Sequence, residues 1–186
     1  MKVISTNIGQ PRKVMWRGKF VTTGIYKEPV AAIVVKKYFV EGDNVSDLKV
    51  HGGESKTVYG YPWEHYEFWR REYPAMAMDY GMFGENITTE GLFENEMKVG
   101  SLYRIGTALL HVTEPRMPCY KLGIKFGTPD IVARFLKSRK SGFYFTVIEE
   151  GTVKPGDRIT LEQAGDAEET ILDVVNKTAR KKGEGA

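Results

Sequence analysis

The hydrophobic and polar positions of the chain alternate over many short stretches, which is the pattern expected of β-strands. These stretches are rich in Val, Ile, Thr, Tyr and Phe, and Gly or Pro separates most of them. The pattern predicts strands at residues 3–8, 20–26, 31–39, 57–59, 101–105, 109–113, 143–149 and 158–162. Many short strands with frequent turns favour a mainly β fold, either a barrel or a sandwich.

Helical patterns are fewer and fall in three segments. Aromatic residues recur at helical spacing over 62–73, where Pro62 suits a first helical turn. A cap residue, a proline and an aspartate in succession predict a helix over 131–138. Acidic residues precede 170–179 and basic residues follow it, an order that suits the dipole of a third helix.

A change in composition after Gln163 sets the predicted domain boundary. Ala, Glu and Gly become frequent beyond this point, and no long linker interrupts the chain before it. We therefore expect one domain over residues 1–163. Residues 164–186 are expected to form a short C-terminal helix and a basic tail.

Composition and charge exclude several classes of protein. The 186 residues are 41% hydrophobic, which argues against disorder, and 27 basic against 24 acidic residues leave a net charge of +3. Apart from residues 177–182 the basic residues are scattered, which disfavours a nucleic-acid surface. No signal peptide and no run of ~18 apolar residues is seen, so we expect a cytoplasmic protein without a membrane partner. A single cysteine excludes an intramolecular disulfide framework.

That cysteine, Cys119, is the first candidate for chemistry. It follows the predicted strand 109–113 on a loop that contains two prolines, between Arg116 and Lys121. Nearby positive charge favours the thiolate, which attacks electrophiles or binds a soft metal. A buried structural cysteine is the alternative left open. A Cys–His protease is disfavoured because no strand-to-helix nucleophile turn surrounds Cys119.

Two polar clusters lie on other predicted turns. His51-Gly52-Gly53 with Lys56 offers backbone N–H groups and a cation to an anion, or forms a plain turn. Asn86, Thr88 and Thr89 follow a glycine and either line a polar pocket or satisfy a barrel corner. No zinc-type spacing and no carboxylate pair stands out. Together with Cys119, the clusters suggest one site for an anionic ligand.

Several short motifs, taken in order, carry a family resemblance. They are Thr23-Gly24-Ile25, His51-Gly52-Gly53, Phe83-Gly84-Glu85-Asn86-Ile87-Thr88-Thr89, Pro115-Arg116 with Pro118-Cys119, and Gly142-Phe143-Tyr144 with Glu149-Glu150-Gly151. Over residues 1–163 they resemble a MOSC domain (the molybdenum cofactor sulfurase C-terminal domain), in its YiiM-like branch. No single motif is specific, but their combined order is.

The resemblance implies a closed β-barrel with a pocket for the molybdenum cofactor, a pterin dithiolene with a phosphate tail. It implies that Cys119 is a sulfur carrier or metal ligand. The remaining site residues that it implies are Asn86, Thr88 and Thr89 for cofactor oxygens, Arg116 and Lys56 for phosphate or pterin oxygens, His51 for orienting the ligand, and Tyr59. Pyridoxal phosphate, which the larger sulfurases bind in a separate domain, is not expected here.

The resemblance also implies an activity. The YiiM-like branch is associated with reduction of small N-hydroxylated compounds, including hydroxylamino-purines, by electrons from a separate reductase. No flavin or iron–sulfur motif is present in this chain, so a partner would have to supply the electrons. A carrier of cofactor or sulfur on Cys119, without redox turnover, is the alternative. A small β-barrel that stacks nucleic-acid bases on Tyr and Phe is a third hypothesis.

One departure from the branch concerns its C-terminal segment. YiiM-like proteins often end in three helices, whereas only about one helix is predicted after Gln163. Homodimer formation assigned to that segment is therefore left open.

Overall fold

The computed structural model describes residues 1–44 and 54–181. Its strands are β1 (Lys2–Ile8), β2 (Arg12–Trp16), β3 (Lys19–Thr23), β4 (Glu28–Val30), β5 (Ile33–Val35), β6 (Val58–Pro62), β7 (Ile87–Glu90), β8 (Leu102–Ile105), β9 (Ala108–Pro115), β10 (Phe143–Glu149), β11 (Gly151–Val153) and β12 (Ile159–Gln163). Its helices are α1 (Glu64–Glu72), α2 (Tyr120–Phe126), α3 (Asp130–Ser138) and α4 (Ile171–Lys181), with a 3₁₀ turn at Glu54–Lys56. None of the helices in the described ranges is long and apolar enough to cross a membrane.

One mixed sheet of eight strands organises the fold. Its strand order is β12-β8-β9-β10-β6-β7-β1-β4, and all its pairs are antiparallel except β6 with β7. Strands β11 and β5 form a second, two-stranded sheet, and β2 and β3 form a third. The parallel pair β6–β7 forms the fifth and sixth strands of this order and brings the turn before β7 beside β6.

The expectation of a closed barrel is wrong, because the eight-stranded sheet is open. Its two edge strands are β12 and β4, and no ladder joins them. The segment that leads into β12 meets the start of β1 at an isolated bridge between Lys2 and Arg158 and through the backbone hydrogen bonds around it, but no strand ladder forms there. In the ladder between β1 and β7, the register shifts between Val3 and Ser5. The other edge strand contains Pro29, which has no N–H to donate.

Two hydrophobic clusters form the core. The first is formed mainly by buried residues of the strands and includes the rings of Phe143 and Phe145. The second is aromatic and packs α1 and α3 against β6. In it, the rings of Trp69 and Phe135 stack with centroids 5.8 Å apart, and Trp69 Nε1 donates a hydrogen bond to Tyr61 Oη at 2.7 Å. This second cluster holds β6 in place against the helices, and β6 forms part of the candidate site.

Most of the predicted elements are present. Each of the eight predicted strands coincides at least in part with one observed, and the three predicted helices correspond to α1, α3 and α4. The tight turn between β8 and β9 has Gly106 at φ 59°, as expected of a hairpin glycine. Helix α4 packs on β9 and buries Ile171, Val175 and Ala179. The domain boundary at residue 163 stays a prediction.

We predict that Gly142, directly before β10, cannot be replaced without a large loss of stability. Its φ is 64°, and an added Cβ would lie 2.5 Å from the carbonyl oxygen of Gly60. Gly127 has nearly the same φ, 67°, but nothing lies within 4 Å of its Cβ position. Gly127→Ala should therefore lower the free energy of unfolding by about 1–2 kcal/mol, the cost of the left-handed backbone. Gly142→Ala should lose a further ~1–3 kcal/mol from overpacking, measured by urea unfolding. Equal losses would contradict the prediction.

Candidate functional site

A cleft opens where the end of β9, strand β6 and the turn before β7 meet. With its open mouth the cleft measures ≈ 650 Å³. Among the lining residues are Lys56, Tyr59, Asn86, Arg116, Cys119 and Tyr144. Five of the predicted site residues are thus brought together by the fold.

Cys119 lies at the edge of this cleft, at the start of α2. It is a free, half-buried cysteine in extended backbone, with φ −122° and ψ 171°. Its carbonyl oxygen accepts the N–H of Leu122 at 3.0 Å, which begins the helix. Strand β9 ends at Pro115 and the next proline is Pro118, so the segment leaves the sheet just before the thiol. The prolines therefore position the thiol outside the ladder and in the cleft.

Arg116 is a buried cation beside the thiol. It is 4% exposed, and its guanidinium carbon lies 5.5 Å from the ring centroid of Tyr59 and 5.2 Å from that of Phe135. The guanidinium also donates to the hydroxyl of Tyr144. Among the described residues, however, Nη1 has no hydrogen-bond partner and no carboxylate forms an ion pair with Arg116. A buried charge without a counter-charge is costly, so the cleft is suited to an anion.

The electrostatics of the cleft keep Arg116 charged and its tyrosines neutral. Burial lowers the pKa of Arg116, but Tyr59, Tyr144 and Cys119 nearby outweigh that effect and raise it. Burial raises the pKa of Tyr59 and of Tyr144. Tyr59 Oη donates to the carbonyl oxygen of Ser141 at 2.8 Å. Both phenols are therefore neutral hydrogen-bonding groups on the cleft wall at neutral pH.

A buried ion pair in the cleft lining was not predicted from the sequence. Lys27 Nζ lies 2.6 Å from Asp43 Oδ2, and their side chains are 9% and 5% exposed. Asp43 Oδ1 also accepts the backbone N–H of Gly9 at 2.9 Å. Gly42-Asp43 is a recurring turn dipeptide, but nothing near it marks Lys27 as its partner. The charge of Lys27 is compensated by Asp43, whereas Arg116 has no carboxylate partner within residues 1–44 and 54–181.

Asn86 connects this ion pair to the sheet. Its Nδ2 donates to Asp43 Oδ2 at 2.8 Å, and its Oδ1 accepts the backbone N–H of Tyr59 at 3.2 Å. Its own N–H donates to the carbonyl oxygen of Tyr59 at 2.8 Å, and its carbonyl accepts the N–H of Asn7 at 2.7 Å. The carboxamide thus holds the cleft wall together. Its predicted contact with a ligand oxygen stays a prediction.

The two threonines of the same motif lie outside the cleft lining. Both are on β7 and fully buried. Thr88 Oγ1 donates to Glu85 Oε1 at 2.9 Å and accepts Asn7 Nδ2 at 3.2 Å. Thr89 Oγ1 has no hydrogen-bond partner within the described segments. For either hydroxyl to contact a cofactor oxygen, as predicted, these buried residues of β7 would have to become accessible.

The remaining two predicted site residues are Lys56 and His51. Lys56 ends the 3₁₀ turn, lines the cleft and lies 3.5 Å from Glu114 Oε2 through its Nζ. His51 lies outside the described residues. Lys56 is therefore a partly exposed cation whose side chain is available near the mouth.

Glu85 is a further buried carboxyl that the sequence did not single out. It accepts the N–H groups of Gly81 at 2.9 Å and Phe83 at 3.1 Å, and it also accepts the hydroxyls of Tyr66 and Thr88. Burial raises the pKa of Glu85. Four donors on one carboxyl group fix the tight turn that carries Asn86 into the cleft.

Comparison with known proteins now identifies the family. The model of the MOSC domain family matches residues 47–160. Because this match covers more than half of the chain, the chain belongs to the MOSC domain family, which is associated with binding of the molybdenum cofactor. The resemblance seen in the sequence is confirmed.

Individual relatives agree with this assignment. The protein YflK of Bacillus subtilis is 40% identical over 165 residues, which are 88% of this chain and 74% of YflK. The crystal structure of YiiM from Geobacillus stearothermophilus superimposes with a TM-score of 0.80 at 34% identity and covers 97% of this chain and 85% of that one. A protein of Gibberella moniliformis named a reductase is 31% identical over 84% of this chain, but the match spans only 28% of that protein.

We predict that Asp43→Asn destabilises the protein by about 3–5 kcal/mol, because Lys27 would remain buried without a counter-charge. The free energy of unfolding in urea measures this loss. The double variant Lys27→Met/Asp43→Asn should recover a large part of it, because the stranded charge is then gone. A double variant that is less stable than either single variant would contradict this account of the pair.

Proposed function

We propose that this protein binds the molybdenum cofactor in the cleft and reduces N-hydroxylated compounds such as hydroxylamino-purines, with electrons from a separate reductase. The observation that carries the proposal is the buried Arg116, whose Nη1 finds no partner among the described residues. Membership of the MOSC family and a relative named a reductase support it.

The residues of the cleft fit an anionic pterin with a sulfur-bound metal. Arg116 and Lys56 supply charge-assisted hydrogen bonds to phosphate or pterin oxygens. The thiol of Cys119 offers the soft ligand that a dithiolene-bound metal accepts. Tyr144 offers a neutral hydroxyl beside both. The open cleft, ≈ 650 Å³ with its mouth, has room for the bulk of such a ligand.

The proposed reaction breaks one N–O bond. A hydroxylamino group R–NHOH takes up two electrons and two protons, and gives R–NH2 and water. The cofactor, when bound, supplies the two-electron chemistry at its metal. The electrons come from a reduced protein donor, which this chain needs because it has no redox motif of its own. The protons reach the substrate from solvent through the open mouth, and the neutral hydroxyl of Tyr144 can orient the group that receives them.

The first test measures cofactor content. Protein purified from a host that makes the cofactor should contain molybdenum and pterin, and should reduce 6-hydroxylaminopurine with dithionite as the electron source. Arg116→Gln should lower the bound pterin about tenfold or more, since it removes a buried charged hydrogen-bond donor. The control Arg134→Gln, on the exposed face of α3, should keep the wild-type content. Wild-type protein without molybdenum or pterin would refute the proposal.

The second test concerns Cys119→Ser. A hydroxyl is a harder and less acidic donor than a thiol, so activity should fall to background. The melting temperature should change by less than about 4 °C, because a half-buried cysteine contributes little packing. Cys119→Ala, which removes the polar atom, should behave in the same way. A large loss of stability with activity retained would instead show a structural cysteine.

A second function, a carrier of cofactor or sulfur without redox turnover, is favoured by one observation. Cys119 is the only thiol of the chain, and it lies half-buried in a cleft that opens to solvent. A partner could therefore deliver sulfur to it or remove sulfur from it. Bound molybdenum without turnover of 6-hydroxylaminopurine by dithionite would favour this carrier over the reductase.

A further inference from the structure

The hairpin of β2 and β3 is an unpartnered element of the fold. Its strands pair with each other and with no other strand of the described chain. Its two-residue turn has Arg17 at φ 49° and Gly18 at φ 76°, as the common hairpin turn requires. A two-stranded hairpin on its own is barely stable in water. This hairpin is held at its base, where the Arg12 guanidinium lies 3.4 Å from the ring centroid of Tyr26.

One face of the hairpin exposes large apolar side chains. Met15 lies opposite Phe20 in the register, and the two are 57% and 63% exposed. Lys13 is on the same face, with its Nζ 4.9 Å from the centroid of the Phe20 ring. A cluster of exposed apolar side chains with a charged margin is the usual composition of a protein–protein contact.

The hairpin also carries a strong local positive charge. Residues 9–27 contain five basic residues and no Asp or Glu. Lys27 forms the buried pair with Asp43, whereas no ion pair is found for the other four within the described residues. Those four are Arg12, Lys13, Arg17 and Lys19, and all are exposed. These four cations alone exceed the chain's net charge of +3.

The C-terminal end of the hairpin leads directly into the lining of the cleft. Thr23, the last residue of β3, is buried and lines the cleft together with Cys119. The next residues, Gly24 and Ile25, line it as well. A protein bound to the hairpin would therefore lie next to the cleft entrance.

We propose that this hairpin is the docking surface for the electron donor, and that the donor presents an acidic face with an apolar patch. The inference rests on the proposed reductase function. Complexes between redox partners are small and short-lived, so one hairpin is large enough to form much of the contact. Opposite charges steer the encounter and raise the association rate, and the Met15–Phe20 face supplies the desolvated centre. A nucleic-acid surface is the less favoured alternative, because four cations around an apolar centre do not form a track along a backbone.

The experiment uses the holoprotein, 6-hydroxylaminopurine and photoreduced flavodoxin, a small acidic flavin protein, as the probe donor. The hairpin variant is Lys13→Glu/Arg17→Glu/Lys19→Glu. The matched control is Lys98→Glu/Lys137→Glu/Lys154→Glu, which makes the same charge change at exposed positions outside the hairpin and the cleft. Rates are measured with flavodoxin at low and high ionic strength, and with dithionite as the small donor.

We expect the hairpin variant to lose about tenfold or more of its rate with flavodoxin at low salt, and to lose most of its salt dependence. Its rate with dithionite and its melting temperature should match the wild type, and the control should keep both rates. A second variant, Met15→Thr/Phe20→Thr, should weaken flavodoxin binding while keeping the salt dependence, because it removes only apolar contact.

Equal flavodoxin rates in the wild type and the hairpin variant would overturn the proposal. So would a result in which the hairpin variant loses only its affinity for a single-stranded oligonucleotide, since that outcome assigns the surface to nucleic acid. Failure of the proposed function is a separate result, namely no molybdenum and no turnover with dithionite. In that case, flavodoxin binding to the protein by thermophoresis still tests the hairpin, since binding needs no turnover.

Discussion

The arrangement of the cleft depends on one buried carboxylate, that of Asp43. It accepts hydrogen bonds from the backbone of Gly9, the ammonium of Lys27 and the carboxamide of Asn86. Asn86 in turn is bonded through its side chain and its backbone to Tyr59 on β6. Three segments distant in sequence are therefore fixed to the strand that forms the cleft wall. A carboxylate that is fully hydrogen bonded in this way is rigid, because moving any partner leaves a buried charge unsatisfied.

The two buried cations of the cleft differ in the groups that surround them. The charge of Lys27 is neutralised by the carboxylate of Asp43 at 2.6 Å. Arg116 is surrounded by the rings of Tyr59 and Phe135, which weakly stabilise a cation but cannot neutralise it. No carboxylate in the described part of the chain pairs with Arg116, and a buried charge without a counter-charge costs several kcal/mol, so an anionic ligand would restore stability at this position. This contrast, more than the number of polar groups, indicates where a ligand binds.

The sequence predicted elements wherever burial alternates along a strand or repeats along a helix. It missed β7, whose residues Ile87, Thr88 and Thr89 are all buried, because a strand covered on both faces shows no alternation. It missed β2 for the opposite reason, since that strand is half or fully exposed throughout. Sheet closure was wrongly predicted because closure depends on pairing between distant strands. Such long-range pairing leaves no mark in the composition of any single strand.

The site was predictable to the extent that its parts are close in sequence. Arg116 and Cys119 are three residues apart on a proline-bounded loop, so their proximity could be read directly. Lys27 and Asp43 are separated by 16 residues, and only the fold shows that they meet. The burial of Arg116 could not be predicted from the sequence. That burial matters because a cation removed from water needs an anionic partner, whereas a surface cation does not. The chemistry of the cleft therefore follows from where the fold buries charge, which is a property of long-range packing and not of any local motif.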